Sequence, residues 1–76
     1  MNDWRHLSVL IAGCGSIGRR HARVLRELGI SDLRACDPVS PQRQVLLEEA
    51  LVKHDYASFP VALQGHPDVV FICTPP

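Results

Sequence analysis

The sequence predicts an α/β fold built on a parallel sheet, with elements in the order β-α-β-α-(β)-α-β. Three observations predict it. Apolar runs at 8–12 and 69–73 show little polar alternation, as expected of parallel strands covered by helices, and 30–36 reads as a further short strand with Leu33 and Ala35 inward. The segments between them carry apolar residues at helical spacing, and glycine or proline punctuates most junctions. Such alternation implies a parallel sheet with right-handed crossovers. With 76 residues the chain holds one domain at most, below the usual domain size of about 100 to 150 residues.

The first strand is Ser8-Val9-Leu10-Ile11-Ala12, closed by Gly13. From Ile17 a helix follows, with Ile17, Ala22, Val24, Leu25 and Leu28 expected on the core side and Arg19, Arg23 and Arg26 opposite, ending at Gly29. A second strand covers 30–36, with Ile30, Leu33 and Ala35 inward, and stops at Asp37-Pro38 because proline cannot donate to the ladder. Ser40 as N-cap and Pro41 at the first helical position then open a helix predicted to end near Lys53. The stretch 54–57 reads as a short third strand or as loop. Ser58 or Phe59 with Pro60 starts a brief helix through Leu63, terminated by Gly65. Val69-Val70-Phe71-Ile72-Cys73 is the clearest strand, expected to be covered on both faces.

Composition narrows the function classes. Apolar residues make up 46% of the chain and charged residues 21%, close to the globular averages of about 45–50% and about 25%, which argues against disorder. Lys plus Arg equals Asp plus Glu at 8 each, so no net field recruits nucleic acid or an anionic membrane. No segment approaches the roughly 18 apolar residues of a membrane span. Cys14, Cys36 and Cys73 are an odd number without a C-x-x-C pair, which suits a reducing cytoplasm better than a disulfide framework. Leu10-Ile11-Ala12-Gly13-Cys14 has the look of a lipoprotein cleavage site, but Asp3 spoils the basic leader such a signal needs. A metal site on the three thiols lacks tight spacing and a fourth ligand.

The chemistry is concentrated in Gly13-Cys14-Gly15-Ser16-Ile17-Gly18, a G-x-G-x-x-G between a strand and a helix. The first glycine permits the tight turn, the second lets backbone approach a pyrophosphate, and the third lets the helix pack on the strand. The free N–H groups of the helix then face the phosphates. Ala22 is small where the helix crosses the strand. The spacing therefore predicts a dinucleotide-binding fold of the Rossmann type, the N-terminal half of a doubly wound domain. Asp37, nineteen residues beyond Gly18, stands at the end of the second strand, where a carboxylate accepts from both adenosine ribose hydroxyls and repels a 2′-phosphate. NAD is favoured on that ground, with NADP still possible because Arg43 could reach a 2′-phosphate. The bland readings are a packing turn for the glycines and an Asp-Pro turn for Asp37. His21 is expected to be a buried, hydrogen-bonded helix residue, and Arg19 and Arg20 to solvate the helix surface. Lys53 is the sole lysine.

Val9 to Leu28, "VLIAGCGSIGRRHARVLREL", with "ACDP" at 35–38 and "VVFICTPP" at 69–76, resembles the N-terminal domain of the glucose-fructose oxidoreductase/inositol dehydrogenase/MocA family. Gly18-Arg-Arg-His21 and Thr74-Pro75 are the more specific parts of the likeness. The resemblance implies that Gly13, Gly15, Ser16, Ile17 and Gly18 line the pyrophosphate, that Asp37 holds the adenosine ribose, and that Thr74 and Pro75 border the cofactor's nicotinamide side. It further implies a parent enzyme, a homo-oligomer, that oxidises or reduces a sugar, cyclitol or related polyol. The family's Glu-Lys-Pro motif, its downstream histidine or aspartate, and its substrate domain have no counterpart in residues 1–76. No catalytic residue is therefore assigned, and the chain alone is expected to be a partial, inactive domain. The alternative is a non-enzymatic nucleotide-binding or sensing module. FAD remains compatible with the glycine pattern, whereas S-adenosylmethionine binding is disfavoured by Ile11 where such proteins place an acid.

Overall fold

The computed structural model describes residues 3–74. A 3-10 turn, Trp4–His6, leads into strand β1 (Ser8–Ala12), helix α1 (Ser16–Glu27), β2 (Asp32–Cys36), α2 (Ser40–Glu48), β3 (His54–Tyr56), α3 (Phe59–Leu63) and β4 (Val69–Ile72). The four strands form one sheet in the order β3-β2-β1-β4, every pairing parallel. The ambiguous stretch at 54–57 is thus a real strand, paired to β2 through Arg34 with His54 and Cys36 with Tyr56. The turn at Trp4–His6, capped by Asp3, has no counterpart in the expected element order.

The sheet is sandwiched because alternate residues of its strands point to opposite faces. Val9, Ile11, Leu33 and Ala35 pack with Ala22 of α1 and Leu46 of α2 on one face. Leu10 and Cys36 pack with Ala62 of α3 on the other. Β1 lies between two strands and is buried throughout, as its unbroken aliphatic run predicts. Its first residue is fastened to the start of β4 by a reciprocal lock: Ser8 N–H donates to Asp68 Oδ2 at 2.8 Å, and Asp68 N–H donates to Ser8 Oγ at 3.0 Å.

The order places the chain's reversal of direction between β1 and β4. Strands β1, β2 and β3 step outward on one side, and the chain then crosses back to lay β4 on the other. In open parallel sheets the crevice beyond the C-terminal ends of two such strands is where ligands bind.

Three expectations are corrected. Ile17, Val24 and Leu28 are exposed, so of the expected core residues of α1 Ala22 and Leu25 pack inward, joined by buried Gly18. The two sets are adjacent stripes on one helix, and only the second lies over β1. Helix α2 starts at Ser40 with Val39 as N-cap and ends at Glu48, short of Lys53. No side chain caps this helix; Asp37 Oδ1 accepts the Val39 N–H at 2.8 Å in the turn that precedes it. Β4 is an edge strand, partly open to solvent, with Ile72 69% exposed, and not a strand covered on both faces.

Both long helices end in the same way. Ile30 N–H bonds back to Leu25 O after Gly29 at φ +98°, and Leu51 N–H bonds back to Leu46 O after Ala50 at φ +56°. These are Schellman closures, which require a left-handed residue before the final donor.

Candidate functional site

The glycine loop is fixed on two sides at the C-terminal edge of the sheet. Gly13 N–H donates to Cys36 O at 2.8 Å, and Cys73 N–H donates to Ala12 O at 2.7 Å, so the loop begins wedged between the ends of β2 and β4. Gly13 has φ +106°, and a Cβ there would sit 2.9 Å from the Cys73 carbonyl carbon and 2.9 Å from Thr74 N. Both conformation and space exclude a side chain. Gly18 is equally closed: a Cβ on it would overlap the Gly13 carbonyl oxygen and lie 3.3 Å from Ile11 Cγ2. Gly15 differs. The nearest atom to a Cβ there is Gln42 Oε1 at 3.9 Å, so the space above this residue is open. The helical ladder begins with Arg19 N–H donating to Gly15 O at 2.9 Å, leaving the N–H groups of the first turn directed past the loop.

Asp37 is 8% exposed and uses both carboxylate oxygens. Oδ2 accepts from Cys14 N–H at 2.8 Å, and Oδ1 accepts from Val39 N–H at 2.8 Å. A carboxylate has about four acceptor positions, so each oxygen retains capacity for one further donor. Arg43 does not project toward a ligand. Its Nε donates to Asp55 Oδ2 at 2.8 Å and its guanidinium to Asp37 O at 2.6 Å, which clamps the end of β2 to β3.

Around these groups lies a cavity of about 310 Å³ lined by Gly13, Gly15, Ser16, Ile17, Asp37, Gln42, Cys73 and Thr74. It opens at the crevice between β1 and β4. A more apolar cleft of about 400 Å³ shares Gly13, Asp37 and Thr74 with it and continues over Pro38, Phe59 and Ile72. The structure thus brings together Gly13, Gly15, Ser16, Ile17, Asp37 and Thr74. Gly18 lies beneath the loop, and Pro75 lies outside the described residues. Gln42 and Cys73 line the cavity without having been singled out. Gln42 is five residues past Asp37, in the first turn of α2, and its position on a helix facing the loop was the available signal.

The remaining candidates stand apart. His21 is exposed, correcting its expected burial; its Nδ1 lies 2.9 Å from Ile17 O and its ring centroid 5.7 Å from that of Phe71. Arg20 is exposed on α1, as expected, and Arg19 is half-buried. Lys53 is exposed, and its N–H donates to Leu33 O away from the loop. Burial, reinforced by the nearby Asp37 charge, pushes the Cys14 thiol up to about 12, and burial also raises Cys36 and Cys73. All three thiols are free. Among the described residues no group of three His, Cys, Asp or Glu is placed to hold a metal ion, and no helix is long and apolar enough to cross a membrane.

Fold and loop together define a Rossmann-type α/β domain. Its solved structural neighbours include a myo-inositol 2-dehydrogenase from Lactobacillus plantarum, at TM-score 0.80 and 30% identity, covering 92% of this chain and 22% of that one. A scyllo-inositol dehydrogenase from Lactobacillus casei matches in fold at TM-score 0.75 and 24% identity, covering 97% of this chain and 23% of that one. No protein-family profile and no curated protein sequence matches the chain. The chain has the fold of the N-terminal Rossmann domain of the glucose-fructose oxidoreductase/inositol dehydrogenase/MocA family, as its sequence resemblance implied. It spans about a fifth of the length of these neighbours.

Proposed function

We propose that this chain is the dinucleotide-binding part of a nicotinamide-dependent oxidoreductase, with NAD preferred and a sugar, cyclitol or related polyol as the substrate of the longer parent. The observation that carries the reading is the contrast among the three glycines. Two are sealed by backbone, while Gly15 faces open space in the wall of the cavity. A cradle that a single Cβ would begin to fill, beside unpaired helix N–H groups, fits a pyrophosphate.

The residues present fit the rest of such a cofactor. The free acceptor positions of Asp37 suit two ribose hydroxyls, and the apolar cleft over Pro38, Phe59 and Ile72 suits a flat ring. Arg43 is occupied by Asp55, which removes the principal sequence argument for NADP. When bound, the nicotinamide would supply hydride acceptance or donation; this chain's own residues would bind the phosphates, orient the ribose and border the ring at Thr74. The acid-base residues and substrate domain belong, on this reading, to the remainder of the parent, for which residues 1–76 are a partial domain. The inositol dehydrogenase neighbours support the polyol substrate class, and the three free thiols suit a reducing compartment.

Titration calorimetry with NADH on the chain and its Gly15→Val variant tests the proposal. Binding by the parent chain, lost in a variant whose circular dichroism is unchanged, supports it. Equal affinities in the two would remove the glycine loop from the site.

A further inference from the structure

Arg43 closes the first turn of α2, and neither it nor Asp55 lines the main cavity or the apolar cleft. Its side chain is 15% exposed and divides its donors between two acceptors. Nε donates to Asp55 Oδ2 at 2.8 Å, and Nη1 donates to Asp37 O at 2.6 Å. The strand register explains why these groups meet. Asp55 is paired with Ala35, which packs in the core beneath α2. Parallel neighbours point to the same face, so the Asp55 carboxylate is presented to the helix that carries Arg43. Asp37 O lies past the last pairing of β2 with β3, and Pro38 after it has no N–H.

We propose that Arg43, tethered by Asp55, is a positioning residue that aims the Asp37 carboxylate at the adenosine ribose. The inference rests on the dinucleotide reading above. The direction in which a side chain leaves the backbone is fixed by the two peptide planes that flank it. At Asp37 the plane before it is held by its N–H, which donates to Tyr56 O at 3.0 Å, and the plane after it is held by Arg43. With both planes fixed, Oδ2 meets Cys14 N–H and Oδ1 meets Val39 N–H, each at 2.8 Å.

Without Arg43 the second plane is free to turn, and Val39 N–H, one peptide further on, moves with it. A hydroxyl bond to the carboxylate needs a separation of about 2.5 to 3.0 Å and weakens steeply with misalignment, so a small tilt of Asp37 loses it. The planar fork of an arginine holds Asp55 and the carbonyl together, whereas a lysine ammonium is a point charge on a flexible stem. Arg43 therefore acts on the ribose through Asp37 and not by contact.

The test is calorimetric titration of the 76-residue chain and its Arg43→Met, Arg43→Lys and Asp55→Asn variants with ADP and 2′,3′-dideoxy-ADP, each variant checked by circular dichroism. Both probes carry a pyrophosphate, and only ADP carries the hydroxyls that Asp37 would hold. The ratio of their affinities therefore reports that contact alone, since a loss of folded chain weakens both equally. The unaltered chain should prefer ADP by about tenfold or more. Arg43→Met should reduce the preference to about threefold or less while leaving dideoxy-ADP bound as before, with Arg43→Lys and Asp55→Asn between the two. A preference that Arg43→Met leaves intact would overturn the inference and leave the dinucleotide reading standing. Should Arg43→Met not fold, Asp55→Asn decides, and a preference unchanged in it overturns the inference. Equal binding of the two probes by the unaltered chain would overturn it too, because Asp37 would then hold no ribose. Binding of neither probe would remove both readings.

Discussion

The backbone N–H of Cys14 donates to the Asp37 carboxylate across 2.8 Å, which ties the glycine loop to the end of β2. Asp37 is thus a brace for the loop as well as a candidate cofactor ligand. The same carboxylate accepts Val39 N–H in the turn that leads into α2.

Removing it should therefore cost stability even without cofactor. Asp37→Ala strands the buried Cys14 N–H and removes the acceptor of Val39 N–H, and a loss of about 2 kcal/mol is expected from hydrogen bonds to a charged acceptor. Asp37→Asn should recover part of that loss, since its carbonyl oxygen still accepts. Urea unfolding followed by circular dichroism measures both. An Asp37→Ala variant as stable as the parent chain would mean that the brace contributes nothing.

The glycines should separate by stability. Gly18→Ala and Gly13→Ala drive a Cβ into backbone that cannot give way, Gly13 against Cys73 and Thr74 and Gly18 against Gly13. Overpacking and a disallowed φ at Gly13 predict losses of about 2 kcal/mol or more in a chain with a small core. Gly15→Ala should leave the unfolding midpoint almost unchanged, because its nearest neighbour is a flexible side-chain atom at 3.9 Å. A Gly15→Ala variant that unfolds with the others would contradict the open space assigned to it.

Much of this was legible in the sequence. Aliphatic runs without polar alternation located β1 and β4, inward Leu33 and Ala35 before Asp37-Pro38 located β2, and the glycine spacing between a strand and a helix located the loop, because backbone sterics leave few residue choices there. What periodicity does not report is which neighbours a helix has. Residues 17, 21, 24 and 28 share a face as plausibly as 18, 22 and 25, and only the position of β1 selects the latter. Helix capping misled for a similar reason: Ser40 is a good N-cap residue, but the turn that Asp37 fixes by accepting Val39 N–H places the N-cap one residue earlier, at Val39. The pairing of Arg43 with Asp55 depends on tertiary placement that no local pattern carries.

Helix α2 closes less favourably than α1. Ala50 holds φ +56° in the position that Gly29 fills at the end of α1. A left-handed alanine is strained, whereas glycine adopts that conformation readily at some entropic cost in the unfolded chain. Ala50→Gly is expected to stabilise the chain by about 0.5 to 1 kcal/mol, read from the urea midpoint at constant m. A destabilised variant would show that the closure is relaxed.

Alkaline pH should unfold the chain through Cys14. Its thiol stays protonated to about 12 in the fold, whereas an unfolded cysteine ionises near about 8.5. The folded state then binds more protons than the unfolded state between these values. The contribution is complete below about pH 8.5 and is lost as pH rises toward the folded value, with a slope of up to about 1.4 kcal/mol per pH unit. Cys36 and Cys73, also raised by burial, add in the same direction. Denaturant titrations from pH 7 to pH 11 should show this fall, and Cys14→Ala should flatten it. A thiol reagent at neutral pH should modify partly exposed Cys73 first and Cys14 last.

Catalysis is the property the chain should lack. Hydride exchange with a polyol needs a proton donor or acceptor within about 2.6 to 3.2 Å of the reacting hydroxyl. Among the described residues Asp37 is the one carboxylate lining the main cavity, and its oxygens already accept Cys14 N–H and Val39 N–H. His21 faces a groove with Phe71 on the flank of α1, and Lys53 is exposed beyond the end of α2. Neither lines the cavity beside Thr74, where the nicotinamide would lie. The purified 76 residues should therefore bind dinucleotide weakly and reduce no NAD with myo-inositol, scyllo-inositol or a sugar. The assay follows absorbance of the reduced cofactor, with the Gly15→Val variant purified in parallel to expose host contamination. Turnover by the parent chain that the variant loses would place a working acid or base within these residues and overturn this assignment.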